Sequence, residues 1–199
     1  MEYLTAQPAA VPEGVKVTVI PVMNPDGLVK VVGTTSAFAA ADVPSSQDTQ
    51  VSGRVNGNGV DLNRNFDCDW QASGTWRNAK VSGGTAPFSE PESAAVKAYI
   101  ESARPDAVIV WFSAAGGVYS SSCGEKVSPA ISALTKAYAT ASGYAAHENF
   151  DAYSVTGDIT NWLAKNDIPA ISVLLTTHTD VEWIKNQKGI KAVLEHVTK

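Results

Sequence analysis

Two short, almost uninterrupted apolar runs, DAVIVWF (Asp106–Phe112) and IPAISVLL (Ile168–Leu175), constrain the fold more than any other feature of the chain. Runs of this length, rich in β-branched residues and without a polar face, fit strands covered on both sides. A third run, VKVTVIPVMN (Val15–Asn24), alternates apolar and polar residues and predicts another strand. Helical patterns lie between and around these runs. SEPESAAVKAYIESA predicts a helix with Ser89 as N-cap and Pro91 and Glu92 in its first turn, and SPAISALTKAYATAS predicts one beginning at Ser128. Two more helices are expected, one in GDITNWLAKN from Gly157 and one from about Asp180. Strands alternating with helices predict an α/β three-layer sandwich around a mixed, largely parallel twisted sheet. The long, small and polar segment from Leu28 to Gly59 is expected to be a surface excursion.

Composition narrows the functional classes. With 199 residues, 44% of them hydrophobic and 18% charged, residues 1–199 predict one domain with a sizeable core. A formal net charge of -5 and the lack of any Lys/Arg run exclude the concentrated basic face of a nucleic-acid binder. No apolar run approaches the roughly 18–20 residues needed to cross a bilayer, and MEYLTAQPAA has neither the charged nor the apolar region of a signal peptide. A soluble chain is therefore expected. The two cysteines, Cys68 and Cys123, are too few for a Cys-rich zinc site; they form either one disulfide or two buried thiols.

Four stretches carry chemistry: NPDG (24–27), GRVNGNGVDLNRNFD (53–67), APFSEPES (86–93) and YSVTGDITNWL (153–163). Singly, each is only a turn or a helix cap. Together, in this order and spacing, they resemble the zinc metallocarboxypeptidases, carboxypeptidase A-like and of bacterial type. The resemblance covers nearly the whole chain. It implies zinc as cofactor, held by the His and Glu of an HxxE motif and by a distant His on a strand end. The zinc polarises the scissile carbonyl and a bound water, a Glu serves as general base, and an Arg steadies the oxyanion. By position, Arg54 matches that Arg, Asn63 and Arg64 match the pair that grips the substrate's terminal carboxylate, and Tyr153 matches the Tyr that closes over the substrate. Without the resemblance, Asn63 and Arg64 read as loop caps, Arg54 as a surface charge and Tyr153 as a packed aromatic.

The residues for catalysis are another matter. The resemblance sets Phe112, in VIVWFSAAGG, at the place of the third zinc ligand, and Leu174, in ISVLLTT, at the place of the general-base Glu. Phenylalanine does not bind zinc, and leucine has no basic atom to accept a proton. No HxxE precedes Asn24, and none is built around His147, His178 or His196, which are followed three positions on by Phe150, Val181 and Lys199. The chain thus reads as beginning after the motif. A ligand and a buried carboxylate are costly to keep without their metal, whereas apolar replacements add roughly 1.5–3 kcal/mol each if fully buried. The expectation is a catalytically inactive carboxypeptidase-fold protein without a cofactor, an engineered scaffold or a pseudoenzyme that at most binds peptide C-termini weakly. The alternative is a zinc carboxypeptidase completed by another segment or chain. Phe112 and Leu174 are expected to lie buried on neighbouring strand ends, Cys68 and Cys123 close enough to bridge, and an exposed sheet edge is expected to allow a homodimer.

Overall fold

A computed structural model describes residues 2–198. In chain order its helices are α1 (Glu2–Ala6), α2 (Pro25–Val32), α3 (Gln47–Ser52), α4 (Pro91–Ala103), α5 (Pro129–Ser142), α6 (Ile159–Lys165) and α7 (Trp183–His196). The strands are β1 (Ser73–Trp76), β2 (Ala79–Ser82), β3 (Val108–Ser113), β4 (Gly117–Ser120), β5 (Ala146–His147) and β6 (Ala170–Leu175). The chain divides into two compact units, one of residues 1–19, 104–152 and 160–199, the other of residues 20–103 and 153–159.

The first unit is an α/β arrangement built on a four-stranded mixed sheet in the order β3-β6-β4-β5. β3 and β6 run parallel, β4 and β6 antiparallel, and β4 and β5 parallel. Both expected apolar runs form strands, but only β6 is covered as expected: β3, at the sheet edge, has no buried residue, and its Trp111 is exposed. Ile171 and Val173 pack with Val118, Leu134, Tyr138, Ala139, Tyr144 and Val193 in one buried cluster. α5 starts and stops as its sequence dictates: the Ser128 side chain accepts from the Ile131 amide, Pro129 follows, and Gly143 ends the helix in left-handed backbone. α7 lies on α5 through Gly189, where a Cβ would collide with the Tyr138 ring. The Tyr138 hydroxyl donates to Asn186 Oδ1 at 2.6 Å, and the Trp111 indole reaches both residues at 3.2 Å. Burial pushes the Tyr138 hydroxyl well above its usual pKa.

The second unit holds α2, α3, α4 and the antiparallel hairpin β1–β2. Two expectations, the 15–24 strand and the Ser89 cap, need correction. Residues 15–24 form no strand: no described residue pairs with them in a ladder, and Val17, Val19, Ile20 and Val22 are exposed. A strand requires a second backbone to hydrogen-bond, so alternation alone does not make one. Instead Asn24 caps α2, its Oδ1 accepting from the Gly27 amide at 2.9 Å and its Nδ2 donating to the Gly53 carbonyl at 3.1 Å. The 28–59 excursion is partly helical, containing the end of α2, a 3₁₀ turn (Ala40–Asp42) and α3. Finally, α4 begins at Pro91, so Ser89 stands one place before the cap position; its hydroxyl donates to Glu90 and accepts from Asn65.

Candidate functional site

In the second unit the stretch from Gly59 to Phe66 is packed into the interior by its own polar side chains. Asn65, fully buried, donates to the carbonyls of Gly83 and Ala86, while its Oδ1 accepts from the Glu90 amide and the Ser93 hydroxyl. Glu90 is held in turn by Asn56 and Asn58, each donating to Oε2 at 2.8 Å. Burial pushes the Glu90 carboxyl up, but the hydrogen bonds from Asn56, Asn58 and Ser89 outweigh it and hold the group below its usual value. This buried net fixes the backbone that carries Asn63 and Arg64.

Arg64 is 1% exposed. Its Nε and Nη2 both donate to the Thr75 carbonyl of β1, at 3.2 and 2.7 Å, and Nη1 donates to the Asn63 carbonyl at 2.8 Å. Its Cζ lies 5.9 Å from the ring centre of Tyr153. Two glycines make this possible. Gly157, in left-handed backbone at φ 62, lies against the Arg64 main chain, where a Cβ would collide. At Gly74, a Cβ would fall 2.9 Å from Arg64 Cδ, 3.1 Å from Thr156 Oγ1 and 3.2 Å from Arg64 Nε, so only a residue without a side chain lets the β1 backbone approach the Arg64 side chain this closely. The Thr156 hydroxyl is buried with no hydrogen-bond partner among the described residues.

Asn63 is half-buried, and its side chain is committed: Nδ2 donates to Asp158 at 2.8 Å and Oδ1 accepts from the Ile159 amide at 3.2 Å. Arg54 donates through Nε and Nη2 to the buried Asp61, 2.8 Å each, and its Cζ stands 5.0 Å from the Trp76 ring centre. The four positions read from the sequence as the substrate side, Arg54, Asn63, Arg64 and Tyr153, therefore share one unit. Asn63 and Arg64 do brace loops as a cap reading allows, Tyr153 is half-buried, and Arg54 is paired rather than a loose surface charge. Sequence reading missed Trp76, Arg77 and Thr156; the signals are the Trp-Arg pair at the hairpin turn and the Thr in TGD.

In the other unit Phe112 and Leu174 are direct register partners on the parallel strands β3 and β6, each one residue before its strand's end. Leu174 is buried, but Phe112 is half-buried rather than buried, because β3 is the edge strand and has a neighbour on one side only within its sheet. Beside them the His178 ring meets the Ser113 hydroxyl at 3.1 Å.

The described residues do not fit a zinc ion. Outside the cysteines, no three His, Asp or Glu side chains gather among them, and both cysteines are disulfide-bonded, so neither offers a thiolate. The disulfide also decides between the two readings of Cys68 and Cys123.

A family model described as zinc carboxypeptidase matches residues 9–196. Carboxypeptidase O from Homo sapiens is 37% identical over 90 residues, which is 44% of this chain and 22% of that protein, and the Bos taurus protein of the same name is 37% identical over 88 residues, 43% of this chain and 22% of its own length. The chain thus spans about a fifth of the length of these relatives. Among solved structures, carboxypeptidase A from Helicoverpa armigera superposes with a TM-score of 0.63 at 20% identity, covering 90% of this chain and 52% of its own. The murein-tripeptide amidase MpaA from Escherichia coli O157 superposes at 0.59 and 20% identity, covering 89% and 65%. At such identity the solved structures speak for the fold alone, a carboxypeptidase-like α/β fold with a mixed sheet. The family model, which runs across almost the whole sequence and through the motifs that organise both units, settles membership: the chain belongs to the zinc carboxypeptidase family.

Proposed function

We propose that this protein binds the free C-terminal carboxylate of peptides at Arg64 and does not itself hydrolyse them. The observation that carries the reading is the state of Arg64. A guanidinium is charged at every physiological pH, and a buried charge is costly unless an opposite charge meets it. Arg64 is buried, yet among the described residues no carboxylate touches its guanidinium; carbonyl oxygens and the Tyr153 ring are its partners. Two of its five N–H donors take no part in these bonds, and the partnerless Thr156 hydroxyl lies against the same Gly74 backbone as the Arg64 side chain. A ligand carboxylate supplies the missing charge and accepts from these donors. The non-hydrolytic part rests on Phe112 and Leu174, which stand where a ligand and a base belong. Whether such a chain arose by engineering or as a pseudoenzyme makes no difference to this chemistry.

A second reading has one supporting fact: the chain spans 22–65% of the relatives described above, so zinc ligands and a base can come from a segment or chain beyond it. Two measurements decide. Isothermal titration with a short peptide, as free acid and as C-terminal amide, is expected to give millimolar binding (about -4 kcal/mol) of the acid only; equal binding of the amide removes Arg64 from the argument. Metal analysis of the purified chain after zinc addition is expected to find no stoichiometric zinc, and one zinc per chain would replace this reading with the hydrolytic one. A homodimer formed by pairing the free edges of β3 from two copies is also proposed, and sedimentation at rising concentration tests it.

A further inference from the structure

The turn ahead of Val60 sets the same dipeptide twice in succession, Asn56-Gly57 and Asn58-Gly59, and the chain has no other Asn-Gly pair. Such a pair is open to spontaneous deamidation, because glycine has no side chain to keep its main-chain nitrogen away from the preceding amide carbon. The surroundings of the two pairs differ. Asn56 is 6% exposed; its Oδ1 accepts from the Asn58 and Val60 amides at 3.1 and 3.0 Å, and its Nδ2 donates to Glu90 at 2.8 Å. The Gly57 nitrogen that would attack it donates to Asp26 at 2.9 Å. Asn58 and Gly59 are exposed. Among the described residues the Asn58 side chain makes one bond, from Nδ2 to Glu90 Oε2 at 2.8 Å, which leaves its Oδ1 to water. Gly59 is in left-handed backbone at φ 75, with nothing within 4 Å of where a Cβ would stand. Its nitrogen donates to the Asn56 carbonyl at 3.0 Å, a surface turn bond whose opening frees the nucleophile.

We propose that Asn58 is a deamidation site, and that its conversion to aspartate or isoaspartate unsettles the buried net around Glu90. The Gly59 nitrogen attacks Asn58 Cγ and a C–N bond forms. The Cγ–Nδ2 bond breaks, and Nδ2 leaves as ammonia, taking up through solvent the proton that Gly59 gives away. Water then opens the succinimide at either carbonyl, giving aspartate or isoaspartate, with no change of oxidation state. In the aspartate an anionic oxygen replaces the Nδ2 donor that met Glu90 Oε2, so two carboxylates face each other beside a residue 5% exposed. The Glu90 amide donates to Asn65 Oδ1, which carries the disturbance to the stretch holding Asn63 and Arg64.

The test ages the folded chain and a urea-unfolded sample in warm, mildly alkaline buffer and maps both by peptide mass spectrometry, with isoaspartate read by isoaspartyl methyltransferase labelling. In the folded chain Asn58 is expected to convert at least about tenfold faster than Asn56. Unfolded, the two are expected to react within about threefold of each other, since each has glycine behind it. The consequence is read from Asn58→Asp and from Asn58→Ala, which loses the donor without adding a charge. The aspartate variant is expected to melt about 2–4 °C below the alanine variant at low salt, and the difference to shrink at high salt. Asn56 reacting as fast as Asn58 in the folded chain, or Asn58 unchanged while the unfolded chain is consumed, overturns the site. An aspartate variant that melts with or above the alanine variant overturns the coupling to Glu90.

Discussion

Glu182 offers a direct test of the electrostatics of the first unit. It sits just before α7 in left-handed backbone at φ 46, and its carboxylate accepts from the Tyr144 hydroxyl at 2.7 Å, the Thr176 amide at 2.7 Å and the Lys185 ammonium at 2.9 Å. Burial alone would raise its pKa, but the bonds from Lys185, Thr176 and Tyr144 prevail and bring it from 4.5 to about 2. Burial first, and then this same carboxylate, push the Tyr144 hydroxyl up. A carboxyl depressed by folding binds its proton more readily in the unfolded chain, so its stabilisation is present in full above the unfolded pKa and is lost as pH falls toward the folded one. At 1.36 kcal/mol per pH unit, the drop from 4.5 to about 2 sets an upper limit of about 3.4 kcal/mol. The Lys185 side chain is 45% exposed, so solvent screens part of this, and about 1.5–2 kcal/mol is the working figure. Glu182→Gln keeps the shape and one acceptor but removes the charge. Near pH 7 the variant is expected to melt about 3–8 °C lower. The gap should hold down to about pH 4.5 and close between there and about pH 2. Melting curves of both proteins across this range provide the assay. A gap that is absent at neutral pH, or that persists unchanged at about pH 2, refutes the reasoning.

Gly157→Ala, which puts a Cβ into the Arg64 main chain at a positive φ, is expected to cost about 2–4 kcal/mol by chemical denaturation and to abolish binding of peptide acids. Phe112→His together with Leu174→Glu is expected to lower stability by about 2–3 kcal/mol and to yield no zinc-dependent release of C-terminal residues from a peptide panel, since one ligand and a base do not make a three-ligand site. Thiol titration of the denatured, unreduced chain is expected to find no free cysteine, and two after reduction.

The sequence by itself determined the elements that close on local information. Ser128, Pro129 and Gly143 mark α5 because capping is settled within a few residues, and DAVIVWF and IPAISVLL became β3 and β6 because β-branched apolar runs pair readily as strands, although only β6 is covered. The family was legible too, since four spaced motifs specify it jointly, and so was the pairing of Phe112 with Leu174 that follows from two parallel strands in register. Tertiary structure alone decided whatever needs a second partner. VKVTVIPVMN has strand chemistry, but a ladder is a relation between two backbones, and no described residue supplies the other. Phe112 was expected to be buried and is half-buried, because residue type does not say whether a strand is central or at an edge. Arg64 could be assigned a role from its neighbours in the chain. That its charge is enclosed by the carbonyls of Thr75 and Asn63, within reach of an idle Thr156 hydroxyl, depends on loops up to 92 residues downstream and on two glycines whose missing side chains let those loops approach.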